Sequence, residues 1–262
     1  MAEIYRRDGV LGAVPILSEA EATAYREQME RDEATLGASF HYRDKAHTAL
    51  PYALRLATHP TVLDLVEELM GPDILLYNAT FIIKEAGTTT KVSWHQDLTY
   101  WGLEDDDGQV SMWLALSPAT EASGCMRMIP GSHRRKGLDH VNVQGDDNLL
   151  LLGQELAEVD ESGAELYPLA PGEASFHHGW TVHTSAPNRS DDRRIGLNVQ
   201  YLTPNNRVVA GSRASGLLVR GRDDYGHYDP DPPPPAVFDD EAIAAWDEQW
   251  ALMKANFLSG QS

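Results

Sequence analysis

From Asp73 to Glu85 the chain reads Asp-Ile-Leu-Leu-Tyr-Asn-Ala-Thr-Phe-Ile-Ile-Lys-Glu, a run so rich in β-branched and aromatic residues that it predicts one long strand. Shorter segments of the same character predict further strands at 93-100, 109-117, 124-129, 173-177, 181-184 and 193-202. Strands at such short intervals, punctuated by Gly, Pro and Asn, suggest antiparallel sheets closed into a sandwich or barrel. Helices precede them. Ser18-Glu19-Ala20-Glu21 has the pattern of a capping box and starts a helix that runs to about Ala34, and Pro60 to Met70, stopped by Gly71, is a second. With 262 residues and 42% hydrophobic content, the chain is expected to form one domain.

Three regions are expected within it. Residues 1-72 form an N-terminal helical region, 73-210 a β core, and 211-262 a C-terminal extension. Residues 133-170 interrupt the core's strand pattern with mixed charge and a leucine run at Leu149 to Leu152, reading as an insertion that either covers a site mouth or is a surface excursion. The Pro-rich stretch from Asp229 to Ala236 reads as an extended linker because proline has no amide to donate. Asp239 to Phe257 reads as a helix with Trp246, Trp250 and Met253 on one stripe, a packing face for the barrel or for another subunit, so a homodimer is allowed. The run from Glu104 to Asp107 reads as a solvated turn.

The chemistry gathers at two places. In Trp94-His95-Gln96-Asp97-Leu98-Thr99-Tyr100, an imidazole and a carboxylate two residues apart on a strand would point to one face and share one metal ion. A third donor must come from elsewhere, and His183 offers it; His177 and His178, close before it, compete for the role. Two histidines and a carboxylate on one face leave three coordination positions open, which suits non-haem iron oxygenases. Arg194 follows His183 by eleven positions, enough to cross a turn and return, and its planar guanidinium suits a carboxylate. A metal triad beside a carboxylate clamp fits 2-oxoglutarate, which chelates iron at its keto-acid end and carries a second carboxylate at the other.

These segments, together with Gly124-Cys125-Met126-Arg127-Met128-Ile129-Pro130-Gly131-Ser132-His133 and Pro171-Gly172-Glu173, closely resemble the phytanoyl-CoA dioxygenase family of Fe(II)/2-oxoglutarate oxygenases over about residues 60 to 230. The resemblance implies a mainly β fold with flanking helices, its core a double-stranded β-helix, the jelly roll of cupin-like oxygenases. It implies His95, Asp97 and His183 as iron ligands, and Arg194 with Ser185 at the distal carboxylate of 2-oxoglutarate. It also implies Trp113 and Thr80 as further cosubstrate contacts, and O2 as the second cosubstrate. Tyr100, Trp101 and Arg127 lie near the ligand strands and are expected either to face substrate or to pack in the core, Arg127 alternatively pairing with an acid. Halogenating relatives lack the carboxylate that Asp97 supplies, so the resemblance points to hydroxylation of a small molecule in secondary metabolism. Desaturation, epoxidation and demethylation use the same ligands. A cupin-like metal- or ligand-binding protein without turnover is the alternative from another class, against which Arg194 and Ser185 argue.

Charge narrows the partners. A formal net charge of -19 and a pI near 4.8 argue against nucleic acid and against a polyanionic substrate such as an acyl-CoA, since both need clustered Lys and Arg. The single cysteine, Cys125, excludes an internal disulfide. No charged-then-apolar leader follows Met1, no apolar run reaches membrane-spanning length, and Gly260-Gln261-Ser262 is not a peroxisomal tripeptide, so a cytoplasmic location is expected.

Overall fold

The computed structural model describes residues 1-99, 101-103, 107-142, 148-150, 154-208 and 214-259. Five helices, α1 (Ala2–Asp8), α2 (Glu19–Leu36), α3 (Pro51–Ala57), α4 (Pro60–Met70) and α5 (Asp240–Ser259), surround the sheets. The strands are β1 (Val10–Pro15), β2 (Ile74–Lys84), β3 (Val92–His95), β4 (Gln109–Ala115), β5 (Met126–Met128), β6 (His140–Asn142), β7 (Gln154–Leu156), β8 (Glu165–Tyr167), β9 (Glu173–His177), β10 (His183–Ser185), β11 (Arg194–Leu202), β12 (Ser215–Arg220) and β13 (Asp229–Pro230). A large sheet has the order β1-β9-β4-β11-β2-β12-β13, and a small one the order β3-β10-β5-β8. Neighbours are antiparallel except β12 and β13. The fold is the mainly β jelly roll with flanking helices that the sequence led us to expect.

The large sheet divides its side chains strictly. On β11, Ile195, Leu197, Val199 and Tyr201 enter the core shared with the helices, while Arg194, Asn198 and Gln200 line a cavity on the other face. On β4, Val110, Met112 and Leu114 go to the helical side and Trp113 to the cavity. Strand β2 is buried along its whole length, and its alternation is broken once, where the register against β11 shifts between Gln200 and Tyr201. That bulge brings two consecutive residues, Tyr77 and Asn78, onto the cavity.

The helix from Ser18 forms with both halves of its capping box, and the one from Pro60 ends at Met70 as expected. Other expectations need correction. The strand expected at 93-100 ends at His95, and Asp97 to Thr99 form a 3-10 turn. The core is not confined to 73-210: β1 and β12, outside that range, both join the large sheet because each satisfies the edge of a neighbour. The span 133-170 is not a bare insertion, since β8 extends the small sheet and β6 pairs with β7. Within the leucine run, Leu149 and Leu150 line the cavity, while Leu151 and Leu152 lie outside the described residues. Of the acidic run, only Asp107 is described, and it pairs with Lys136. No helix among the described residues is long and apolar enough to cross a membrane.

Helix α5 is seated by Trp246, which is fully buried against Phe40 and Phe238, with ring centroids 5.0 and 6.2 Å away, and whose indole donates to the carbonyl of Asp44. Removing a buried indole costs its transfer energy plus a cavity. We expect Trp246→Ala to lower stability by about 3–5 kcal/mol in urea titration, whereas Leu252→Ala, half exposed on the same helix, should shift it by less than about 0.5 kcal/mol.

Candidate active site

The small sheet sets two histidines side by side. His183 on β10 pairs directly with His95 on β3, and their ring centroids are 4.1 Å apart. The Nδ1 atoms lie 2.8 Å from the Ser93 carbonyl oxygen for His95 and 2.9 Å from the Thr181 carbonyl oxygen for His183. A carbonyl only accepts, so each Nδ1 carries a ring hydrogen and donates it, which leaves Nε2 as the nitrogen able to ligate a metal. Asp97 Oδ1 lies 3.1 Å from Nε2 of His95 and 3.7 Å from Nε2 of His183.

Three acceptors within 4.8 Å of one another repel unless a cation lies between them. Adjacent donors on an octahedral ion with bonds of ~2.1 Å are ~3 Å apart, so the set fits a ferrous ion. Burial would push the Asp97 carboxyl up, yet His183, His177 and His95 hold it well below the usual carboxylate range. Burial and then His95 push the His183 imidazole down to about 3, which keeps it a neutral donor.

Asp97 reaches this point from a turn, not from the strand. Gln96, fully buried between the two ligands, donates its side-chain amide to the carbonyls of Arg135 and Trp180, both at 2.8 Å, and accepts from the Leu138 amide at 3.0 Å. The Leu98 amide then donates to the Gly179 carbonyl. These bonds end β3 and swing the carboxylate inward. Of the competing histidines, His177 meets the other carboxylate oxygen, Asp97 Oδ2, at 3.3 Å, and His178 lies tilted against His133 with centroids 5.5 Å apart. Neither belongs to the group that converges on one point.

A cavity of about 230 Å³ runs from these ligands between the sheets. Arg194 lies on its wall, 1% exposed, with Nη1 donating to the Gly124 carbonyl at 2.7 Å and with no ion-pair partner among the described residues. Its Nε has no partner either. Burial pushes this guanidinium down to about 10. A buried cation in want of an anion fits the far carboxylate of 2-oxoglutarate. Trp113 lies under it, the ring centre 5.0 Å from the guanidinium carbon, and can do so because residue 196 is glycine: a Cβ there would sit 2.0 Å from the indole.

Thr80 and Ser185 also line the cavity, the Thr80 hydroxyl lying toward the Asp44 carboxylate. Ser185 Oγ accepts from the Lys84 ammonium at 2.7 Å, which leaves its own hydrogen to donate. Trp101 is on the wall as well. Two expectations end differently. Tyr100 lies outside the described residues. Arg127, expected near substrate, points away from the cavity: its neighbours Met126 and Met128 turn inward, so alternation turns Arg127 outward to Glu161 at 2.5 Å and to the face of Trp94.

The sequence left several residues of the site and its surroundings unseen. Lys84, 1% exposed at the end of β2 and opposite Arg194, donates to the Ser185 and Ala186 carbonyls as well as to the Ser185 hydroxyl. Burial, then Arg194, pushes its amine down to about 6. Tyr42, Asp44 and Trp250 come to the cavity from segments remote in sequence.

The sequence matches the family described as phytanoyl-CoA dioxygenase (PhyH) over residues 5–196. It is 28% identical over 218 residues to the probable alpha-ketoglutarate-dependent hypophosphite dioxygenase of Stutzerimonas stutzeri, covering 81% of this chain and 74% of that one. The structure of the non-heme monooxygenase ThoJ in its apo form superimposes with a TM-score of 0.86 at 31% identity, covering 99% of this chain and 98% of that one. EvdO2 from Micromonospora carbonacea var. aurantiaca, complexed with 2-oxoglutarate, superimposes with a TM-score of 0.63 at 26% identity, covering 80% and 92%.

Arg194→Ala should raise the 2-oxoglutarate concentration needed for half-saturation by the equivalent of about 2–5 kcal/mol, while iron binding measured by calorimetry stays near the wild-type value. Arg193 is the control. It faces the other way, to Glu33 and Glu85 on the surface, so Arg193→Ala should leave the cosubstrate titration unchanged. His95→Ala, Asp97→Ala and His183→Ala should each lose tight iron binding.

Proposed function

Since this chain belongs to the phytanoyl-CoA dioxygenase family and is an Fe(II)/2-oxoglutarate-dependent oxygenase, we propose that it hydroxylates an unactivated C–H bond of a small molecule in secondary metabolism. Iron, 2-oxoglutarate and O2 are its cofactor and cosubstrates. The observation that carries the hydroxylase assignment is the Asp97 carboxylate beside the two imidazoles, because it fills the position a halide would need. With 2-oxoglutarate and O2, bound iron supplies an oxidant strong enough for such a bond, releasing succinate and carbon dioxide.

The protein's own residues bind, orient and shield. The carbonyls of Ser93 and Thr181 fix which imidazole nitrogen is free to ligate. Ser111 and His177, at 3.5 and 3.3 Å from Asp97 Oδ2, hold that oxygen away from the shared point, so that Oδ1 is the one presented. Arg194, with Ser185 and Trp113, holds the far carboxylate of the cosubstrate and thereby fixes which end reaches the iron. Leu149 and Leu150 cover the cavity with apolar side chains, and the Leu149 amide donates to the Lys91 carbonyl at 2.8 Å, tying this cover to the start of β3. Excluding water protects a reactive site from side reactions.

The substrate is a small molecule without a polyanionic carrier. Among the described residues that line the cavity, Arg194 and Lys254 are the cationic ones, and the chain's net charge of -19 repels a nucleotide thioester. Succinate release should therefore be unaffected by phytanoyl-CoA. With the true substrate, one atom from isotopically labelled O2 should enter the product, one per succinate, by mass spectrometry; a product that has lost two hydrogens without gaining oxygen would overturn hydroxylation. Replacing Leu149 and Leu150 by serine should raise succinate formed per product severalfold, and unchanged coupling would dismiss the cover.

A further inference from the structure

The same cavity carries an acid to which neither iron nor cosubstrate binding gives a part. Asp44 lines the cavity, accepts from the Asn78 side-chain amide at 2.9 Å, and makes no ion pair among the described residues. Its neighbour Lys45 is engaged elsewhere: that ammonium donates to the carbonyls of Tyr77 and Ser215 and pairs with Asp231 at 3.0 Å. The acid is held rigidly. Asn78 Oδ1 accepts from the Lys45 amide at 2.8 Å, the Asp44 carbonyl accepts from the Trp246 indole at 2.6 Å, and the residues on either side of it, Tyr42 two before and Lys45 just after, have left-handed backbones with φ of 53° and 61°. Burial pushes the Asp44 carboxyl up against the pull of Asn78, Lys45 and Thr80.

A second acceptor lies across the strand pairing from Asn78, with no hydrogen-bond partner among the described residues. Gln200 pairs directly with Asn78 across β11 and β2, is 9% exposed, lines the cavity, and has an Oε1 with no hydrogen-bond partner. The walls of the same cavity include Tyr42 and Trp101, and also Tyr77, whose ring already meets Lys45, and Trp250, whose ring already meets Arg43 and Lys254. Acceptors framed by aromatic faces attract a cation twice, by charge-assisted hydrogen bonds and by the ring quadrupoles. The geometry points to a substrate bearing a protonated amine, which the Asp44 carboxylate and the Gln200 amide oxygen hold between the aromatic walls. In calling this ligand a substrate, the assignment rests on the oxygenase function proposed above.

The test is a matched pair of probes, phenethylamine and 2-phenylethanol, titrated into the full chain loaded with nickel and 2-oxoglutarate at physiological ionic strength. Binding is read by calorimetry and by the fluorescence of the cavity tryptophans. The amine should bind about ten-fold tighter than the alcohol, equivalent to about 1.4 kcal/mol. Asp44→Asn should abolish that preference, and Gln200→Leu should weaken the amine severalfold. An amine that binds no tighter than the alcohol, or does not saturate, overturns the proposal on the wild-type protein alone, whether or not a variant folds. A preference that survives in Asp44→Asn overturns it too, since it would then reflect the overall negative charge. Titration of 2-oxoglutarate into the nickel-loaded protein separates the two ideas: failure there with the amine preference intact removes the oxygenase function and leaves the amine site, and the converse result removes the amine site alone.

Discussion

Three lone pairs aimed at one point are unstable without a cation, and the protein holds them there by bonds made behind them. The imidazoles of His95 and His183 are pinned through their Nδ1 hydrogens to carbonyls two residues earlier, Ser93 and Thr181, so each strand supplies its own ligand and that ligand's anchor. Asp97 is held through its second oxygen and through the buried Gln96 before it. None of these anchors uses the metal-facing atoms. The site is therefore preorganised, and binding iron relieves repulsion without having to order the ligands first.

The same economy governs the large sheet. A strand buried on both faces usually reads as continuously apolar, yet β11 alternates Ile195, Leu197, Val199 and Tyr201 with Arg194, Gly196, Asn198 and Gln200. One face binds the helices and the other lines a polar cavity, so a single strand serves stability and chemistry at once. Arg194 can be buried because Trp113 covers it and the Gly124 carbonyl accepts from it. Trp113 can cover it because Gly196 has no side chain. A buried cation left without its anion costs stability, and the fold accepts that cost at the place where a dicarboxylate is to be received.

What could be read from sequence was the chemistry whose partners are close in the chain or carried by a recognisable segment: His95 with Asp97, His183 with Ser185 and Arg194, the capping box at Ser18, and the long strand at β2. The triad was legible although its local geometry was not. Period-two alternation put Asp97 on the strand, whereas hydrogen bonds from Gln96 to residues 135, 138 and 180 end the strand first, and those partners are invisible to any local pattern. Strands of three residues, such as β6, β7 and β8, are too short to show a period, so 133-170 read as an insertion. Lys84 read as the polar end of a strand. It proves to be buried beside Arg194 only because β2 and β11 pair in that register. Asp44 and Trp250 lie far apart in the chain and share a wall only after Trp246 seats α5 over Phe40. Pocket walls assembled from remote segments are the part that one sequence does not juxtapose.

The cavity carries charges of both signs. Arg194, Asp97 and Asp44 all line it, with Tyr42 close enough to feel all three. In a low-dielectric space opposed charges separate two ligands by sign more effectively than by shape. A dicarboxylate is drawn to the arginine and repelled from Asp44, and a cationic group experiences the reverse. The cosubstrate and the organic substrate are thus kept from occupying each other's place. At physiological salt, screening beyond about 8 Å leaves mainly the local field to orient what arrives. A cavity with both signs of charge on its wall needs no large specific contact area to sort its two occupants, because bringing like charges together in a low-dielectric space makes the wrong arrangement the costly one.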